Sequence, residues 1–428
     1  MQSPLMAEIR RTVGGMDRLN ELVNSPMAKS KMDARGPYVK RKVIIGNTLP
    51  DFDGEDVYLD FTKSKRIAIV SPPGTCKTTL INSIAVQTSN LGIGTVLLND
   101  TKNDTKLTLP YPIQPKFEHL VCPELRGMTA RVKAYVPFVI NKGDMFQYSP
   151  NEYDGYIQYS SDELMSYDLA TLAELDGKEH RLIRRLIDSL WSASKGDLGE
   201  IYSRLEKKTT FKVGERSVTL KTADRNNIKN TLLSLEFAGM LGTKHNRDIT
   251  DDLRKGYVVA FNLANGERTE ASFFQAQIAV ECRRLFRYDK PTLEIYDECQ
   301  RVIPDKVVPS CKKEILNQVD HGRYKGKSVL FASQKLKGSA GVPSMDSSVL
   351  SSCEYILVTS RTGGSSWDKI RDEIKDITYE EEDTVRELSS EDGRVQYALI
   401  DQQKARGEKV TTFFPYISPC RVREERTK

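Results

Sequence analysis

Lysine and two hydroxyl residues, Lys77-Thr78-Thr79, close the stretch from Arg66 to Thr79, which reads RIAIVSPPGTCKTT. A short apolar run, Ile67 to Val70, precedes a Pro/Gly-rich turn, and the helical pattern LINSIAVQ follows. In the order strand, tight loop, helix start, backbone N–H groups and the positive end of a helix dipole converge on phosphate. Ser71, Pro72, Pro73, Gly74, Thr75, Cys76, Lys77, Thr78 and Thr79 would surround the phosphates of a nucleotide. Lys77 would reach the β- and γ-phosphates of ATP, and Thr78 would ligate Mg²⁺. The Walker A pattern is G-x-x-x-x-G-K-[ST]; here Ser71 and Cys76 stand where its glycines belong, and only Gly74 remains at an intermediate position. A side chain before the lysine restricts φ where glycine would let the backbone approach phosphate. Two readings follow, a working site and a degenerate one that only binds; the small size of cysteine favours the first.

Phosphoanhydride hydrolysis also needs a metal-positioning carboxylate and a group that orients water. LEIYDECQ is an apolar strand ending in Asp297 and Glu298. Asp297 would hold Mg²⁺ through its water shell and Glu298 would polarise the attacking water (Walker B). Alone, the pair reads equally well as a solvent-facing acidic strand end. Its partnership with SPPGTCKTT, each at the end of an apolar strand, favours catalysis. KSVLFASQ ends in Ser333-Gln334, where an amide can contact both γ-phosphate and water; the basic turn Arg323–Lys327 precedes it, and Arg361 lies just past the next strand.

These residues need a scaffold that brings distant strand ends together. Strand-like runs alternate with helical patterns: Val96–Leu98, KGYVVAFNLAN, PTLEIYDECQR, KSVLFASQ and Tyr355–Ser360, with SFFQAQIAVECRRLFRY between two of them. That alternation predicts an α/β fold with a mostly parallel sheet covered on both faces. Asn99, Asp100 and Lys102 fall at a strand's C-terminal end, where ligands of such sheets gather. Four segments result: an N-terminal helix and basic arm over 1–40, a core of 41–106 with 253–365, a mostly helical insertion over 107–252, and a charged helix, hairpin and basic tail over 366–428. Within the insertion, Leu182, Ile183, Leu186, Leu190 and Trp191 form an apolar stripe that reads as bundle core, and TFKVGERSVTLK predicts a hairpin turning at Gly214-Glu215.

With 428 residues and 39% hydrophobic content, the chain can bury a large core. No run of about 18 apolar residues predicts a membrane span, and the N-terminus lacks the apolar centre of a signal peptide. Seven cysteines without a C-x-x-C and four dispersed histidines predict reduced thiols in a cytoplasmic setting and no zinc site. The net charge of +5 permits a nucleic-acid partner without demanding one.

Together SPPGTCKTT, LLNDTKND, LLSLEFAGMLGTKHNRDITDDLRKGYVVAFNLAN, LEIYDECQRVIP and GRYKGKSVLFASQ resemble, in content and order, the FtsK/HerA superfamily of ring-forming P-loop ATPases, nearer its HerA branch. The resemblance covers about residues 40 to 365. It implies a RecA-like P-loop NTPase core carrying a helical insertion. It assigns Lys77 and Thr78 to the phosphates and Mg²⁺, Asp297 and Glu298 to catalysis, and Gln334 to a polar sensor. An arginine from a neighbouring subunit completes such sites, with Arg323 and Arg361 as candidates. The two short strands before the loop resemble the end of HerA's N-terminal barrel. The function implied is a homohexameric, ATP-driven translocase of double-stranded DNA, for viral genome packaging or HerA-like DNA processing. A viral capsid or a nuclease would be its partner, in the cytoplasm (the host's if viral). A non-motor ATP-binding assembly protein and a protein-secretion ATPase are the alternatives.

Overall fold

The computed structural model describes residues 41–49, 53–100, 109–110, 122–137, 154–175, 177, 180–237, 247–262, 271–334, 336, 344–359, 362, 364–374, 376–391, 394–416 and 420–421. The N-terminal helix and arm expected over 1–40 lie outside them, as do Lys102 and Arg361.

Twelve strands form one sheet: β1 (Lys42–Asn47), β2 (Asp56–Asp60), β3 (Arg66–Val70), β4 (Gly94–Asp100), β5 (Val132–Pro137), β6 (Gly155–Ile157), β7 (Val258–Asn262), β8 (Thr292–Tyr296), β9 (Lys327–Ser333), β10 (Tyr355–Thr359), β11 (Tyr397–Asp401) and β12 (Val410–Pro415). Their order is β2-β1-β12-β11-β10-β3-β9-β8-β4-β7-β5-β6. From β10 to β6 every pairing is parallel; from β10 back to β2 every pairing is antiparallel. This is the α/β, mostly parallel sheet that the strand–helix alternation predicts.

The central strands are buried on both faces, which is why they read as continuous apolar runs and not as alternating patterns. Alternation is still present in which layer each residue joins. Ile67 and Ile69 pack with Leu80, Ile84 and Ala85 of α1 (Lys77–Asn90) on one face. Ala68 and Val70 pack on the other, in the core that holds Ala276 and Ala279 of α7 (Ala271–Arg287) and Ile315 of α8 (Ser310–His321).

Between β6 and β7 lies a helical unit: α2 (Ser166–Leu172), α3 (Arg181–Ala193), α4 (Leu198–Lys207), α5 (Thr222–Phe237) and the short α6 (Ile249–Arg254). The predicted hairpin turns where expected, between 210–213 and 216–219. A separate core holds this unit, with Leu186, Ile187 and Leu190 at its centre. The predicted stripe is therefore rotated: Ile187 is buried and Leu182 is 50% exposed. The unit docks on α7 through one buried and one partly buried ion pair. Arg283 of α7 meets Asp168 of α2 at 2.7 Å, and Arg284 meets Glu163.

The sheet does not stop at 365. Past α9 (Gly364–Glu373) and α10 (Tyr379–Arg386), the hairpin β11–β12 adds to β10, and β1 adds to β12. The two strands before the loop are thus the antiparallel edge of the main sheet. Gly46 is required there, because a Cβ would stand 2.2 Å from the Phe414 carbonyl oxygen. At the neighbouring irregularity in β1, the Gln87 amide from α1 both accepts from the Ile44 N–H and donates to its carbonyl, each at 2.8 Å. Among the described residues, no helix is long and apolar enough to cross a membrane.

Candidate nucleotide site

Strands β3, β9 and β8 lie side by side, in register at Val70 with Ser333 and at Phe331 with Tyr296. Their C-terminal ends therefore deliver the loop after β3, Gln334 after β9 and Asp297-Glu298 after β8 to one place. Sequence separations of more than two hundred residues vanish there, at the end of a parallel sheet where ligands characteristically bind.

The loop leaves β3 at Ser71, whose N–H donates to the Ser333 carbonyl at 3.0 Å. Gly74 has φ 77° and open space where a side chain would be. Cys76 has φ 63° and ψ 16°, the left-handed conformation, immediately before Lys77 opens α1. Cysteine thus takes up the backbone that the pattern's glycine supplies. No side chain caps α1 at this end, and its first turn contains no acidic residue, so the dipole's positive end is left for an anion.

Lys77 is 5% exposed and points to the carboxylates, 2.7 Å from Asp297 and 3.1 Å from Glu298. Burial works against its charge, but Asp297 and Glu298 outweigh burial and raise its pKa. Glu298, itself at φ 53°, is fastened at both oxygens. The Gln300 amide donates to one at 2.7 Å, and Lys77 and the Gln334 amide donate to the other. Burial pushes the Glu298 carboxyl up, and the nearby Lys77 ammonium with the two amides more than reverses this, so its pKa lies below the ordinary value. Ser333 completes the set by donating to the Gln300 side-chain oxygen at 3.1 Å.

One residue of the site escapes sequence reasoning. Tyr397, the first residue of β11, is buried and donates its hydroxyl to the Thr75 carbonyl at 2.7 Å. The same hydroxyl lies 3.2 Å from the Ser71 hydroxyl, which also contacts Thr75, and Thr75 donates to the Pro72 carbonyl at 2.7 Å. Burial pushes the Tyr397 phenol up to about 12, so it stays protonated and remains a donor. No local motif marks a tyrosine for this task.

The remaining site expectations divide. Arg323 sits in the turn before β9, at the opposite end of the strand from Gln334, half-exposed and 3.9 Å from Glu354. In its own chain it is about 20 Å, a seven-residue strand's length, from the loop. Among the described residues, no three His, Cys, Asp or Glu side chains gather to hold an ion. A Mg²⁺ carried by phosphate needs only one or two protein ligands. The Asp297 carboxylate and the uncapped helix start beside Thr78 suit that demand.

No protein-family model matches the chain, and no curated protein does. Among solved structures, VirB4 of Thermoanaerobacter pseudethanolicus is similar over 88% of this chain and 96% of that one, with 11% identity and a TM-score of 0.53. The genome packaging NTPase B204 from Sulfolobus turreted icosahedral virus 2, in complex with ATP-gammaS, covers 40% of this chain and 73% of its own at 16% identity and a TM-score of 0.28. The bacterial conjugative coupling protein TrwBdeltaN70 covers 84% and 86% at 12% identity and 0.41. Likeness at these identities concerns the fold, and of the three only the VirB4 score carries weight. The α/β fold, with its mostly parallel sheet and helices on both faces, is thus shared with VirB4 over nearly all of that chain.

Proposed function

We propose that the chain is an ATP hydrolase whose turnover drives a ring of identical subunits along double-stranded DNA. The observation that carries the hydrolase reading is the convergence of Lys77, Asp297, Glu298 and Gln334 at the end of three adjacent strands, beside an uncapped helix start. Lys77 lies between the two carboxylates, and on nucleotide binding its ammonium exchanges them for phosphate oxygens. That exchange releases Glu298 to orient and deprotonate water, with Gln334 holding the geometry. Thr78 and Asp297 would hold Mg²⁺, which would supply charge neutralisation to the phosphates. An arginine from a neighbouring subunit completes the charge, with Arg323 and Arg361 as the candidates. Arg323 stands at the far end of its own sheet, so its only route to such a site is across an interface.

The binding-only alternative rests on Cys76. The left-handed backbone at Cys76 preserves the loop's shape, which supports turnover. The DNA reading draws on the shared FtsK/HerA-type fold and the order of motifs; hexamer formation, and packaging as the task, rest on the same resemblance. ATP hydrolysis measured with and without linear duplex DNA tests it. Stimulation of at least several-fold is expected. Hydrolysis indifferent to DNA turns the assignment to a protein-secretion ATPase, and absence of hydrolysis in the presence of nucleotide binding turns it to an assembly protein.

A further inference from the structure

A second cationic site lies outside the nucleotide loop, where the helical unit meets the core. A cleft of about 250 Å³ is lined by Tyr167 of α2, Arg181, Arg184 and Arg185 of α3, and Lys313 of α8. The three arginines are at i, i+3 and i+4, one face of the helix, within about 6 Å along its axis. One carboxylate, Asp188, shares the cleft, and it already accepts from the Ser166 hydroxyl. Among the described residues none of the four cations forms an ion pair, although the same molecule pairs Arg283, Arg284 and Lys312 a short distance away. The Nε of Arg184 is shielded from water without a hydrogen-bond partner. Lys313 lies over the Tyr167 ring at 4.0 Å, which holds it at the cleft.

The start of α8 strengthens the field. The helix runs for twelve residues from Ser310, and its first turn contains no acidic residue. Its positive end and Lys313 therefore add to the arginines. Because α8 follows the Asp297–Glu298 exit and leads back to β9, this end of the helix stands at the same end of the sheet as the nucleotide loop.

We propose that this cleft grips the phosphodiester backbone of nucleic acid. The proposal rests on the DNA reading above and names the surface that would meet the duplex. Four cations without ion-pair partners among the described residues, on one cleft, call for a ligand that is anionic and rich in acceptor oxygens. Arg181, Arg185 and Lys313 are exposed, so the site is open along one side and suits an extended polyanion better than an enclosed small one. Duplex DNA offers one charge per roughly 1.7 Å of axis, dense enough to engage several of these cations at once. An acidic peptide is the competing occupant. The exposed apolar side chains beside the cations, Leu182 and Val308, are too few to anchor one.

The test is binding of a labelled duplex of about 30 base pairs to the full chain without ATP, across a salt series. The variant is Arg181→Gln with Arg184→Gln and Arg185→Gln. Affinity is expected to fall at least about tenfold. The slope of log affinity against log salt should become shallower by roughly 2 to 3, at about 0.9 for each phosphate no longer neutralised. Binding of a fluorescent ATP analogue stays unchanged, because these residues lie outside the nucleotide site. If the triple variant fails to fold, the exposed pair Arg181→Gln with Arg185→Gln gives the same reading with a slope change of about 1 to 2. Equal affinity and slope in the variant overturn the proposal. So does a wild type that binds tripolyphosphate or poly-glutamate through these arginines but not the duplex. Arginine-dependent duplex binding without DNA-stimulated hydrolysis keeps this site and removes the motor, so the two failures are distinguishable.

Discussion

Of the three strand exits at the candidate nucleotide site, two place a non-glycine residue in the left-handed region directly before a helical turn. Cys76 follows the loop after β3 with φ 63°, and Glu298 follows β8 with φ 53°. Each conformation costs on the order of 1–2 kcal/mol relative to an ordinary backbone. The difference lies in what fastens them. Glu298 is tied by its own side chain to Lys77, Gln300 and Gln334. The Cys76 side chain caps nothing; its loop is fastened from outside, by Tyr397 acting on Ser71 and Thr75. At one exit the strained residue is itself the proposed base. At the other the side chain is a passenger on a backbone that the function needs.

The contrast predicts opposite outcomes for substitution. Glu298→Gln keeps the side chain's shape but removes the base, so hydrolysis should fall at least about 100-fold while binding of a fluorescent ATP analogue stays within a few-fold. Survival of turnover would reduce Glu298 to a structural tie. The same variant sharpens the comparison by pH. The Glu298 carboxyl is held below its ordinary value of 4.5. Its contribution to stability is therefore in full above pH 4.5 and lost as pH falls through the lower folded value. Acid unfolding followed by circular dichroism should be less steep in Glu298→Gln than in the wild type.

Tyr397→Phe removes one hydroxyl and opens no cavity. The Thr75 carbonyl and Ser71 hydroxyl lose a buried partner, so nucleotide affinity should fall about tenfold, the size of one such bond. Cys76 is the exposed thiol among the described cysteines, and its reaction with a thiol reagent should accelerate as the loop loosens. Unchanged affinity and unchanged thiol reactivity would show that the loop holds itself. The smallest effect is expected at Cys76→Gly: a gain of about 1 kcal/mol in stability, with ATP turnover retained or increased. A loss of turnover would mean that the thiol is more than a passenger.

Legibility in the sequence follows the range of the interaction. β3, β8 and β9 announce themselves as largely apolar runs ending in Ser71, Asp297 and Gln334, because parallel strands buried on both faces favour apolar residues, although Glu294 and Lys327 are buried within them. The hairpin at 214–215 is legible for a different local reason, a glycine at φ 62° between two short strand patterns. Tyr397 is not, since its meaning arises only when β11 lies beside β10 and brings its hydroxyl to a loop more than three hundred residues earlier. Nor is Leu182, which the helical period puts on the apolar stripe and which the packing of α3 leaves outside its core. The arginines stand in plain view as RLIRRLID, but only the placement of α8 turns three helix-surface charges into one wall of a cleft.

The pairing of β1 with β12 has a consequence for synthesis on the ribosome. β1 is made well before its sheet partner on one side, around Phe414 and Pro415, more than three hundred residues further along the chain. Until then the apolar side chains Val43, Ile45, Val57 and Leu59, buried in the finished sheet, belong to a hairpin without a neighbour, an arrangement marginal in water. Pairings this distant in sequence form slowly. The same late segment supplies Tyr397. A nascent chain therefore acquires the Tyr397 tether on its candidate phosphate loop only after β11 has been made and has paired with β10.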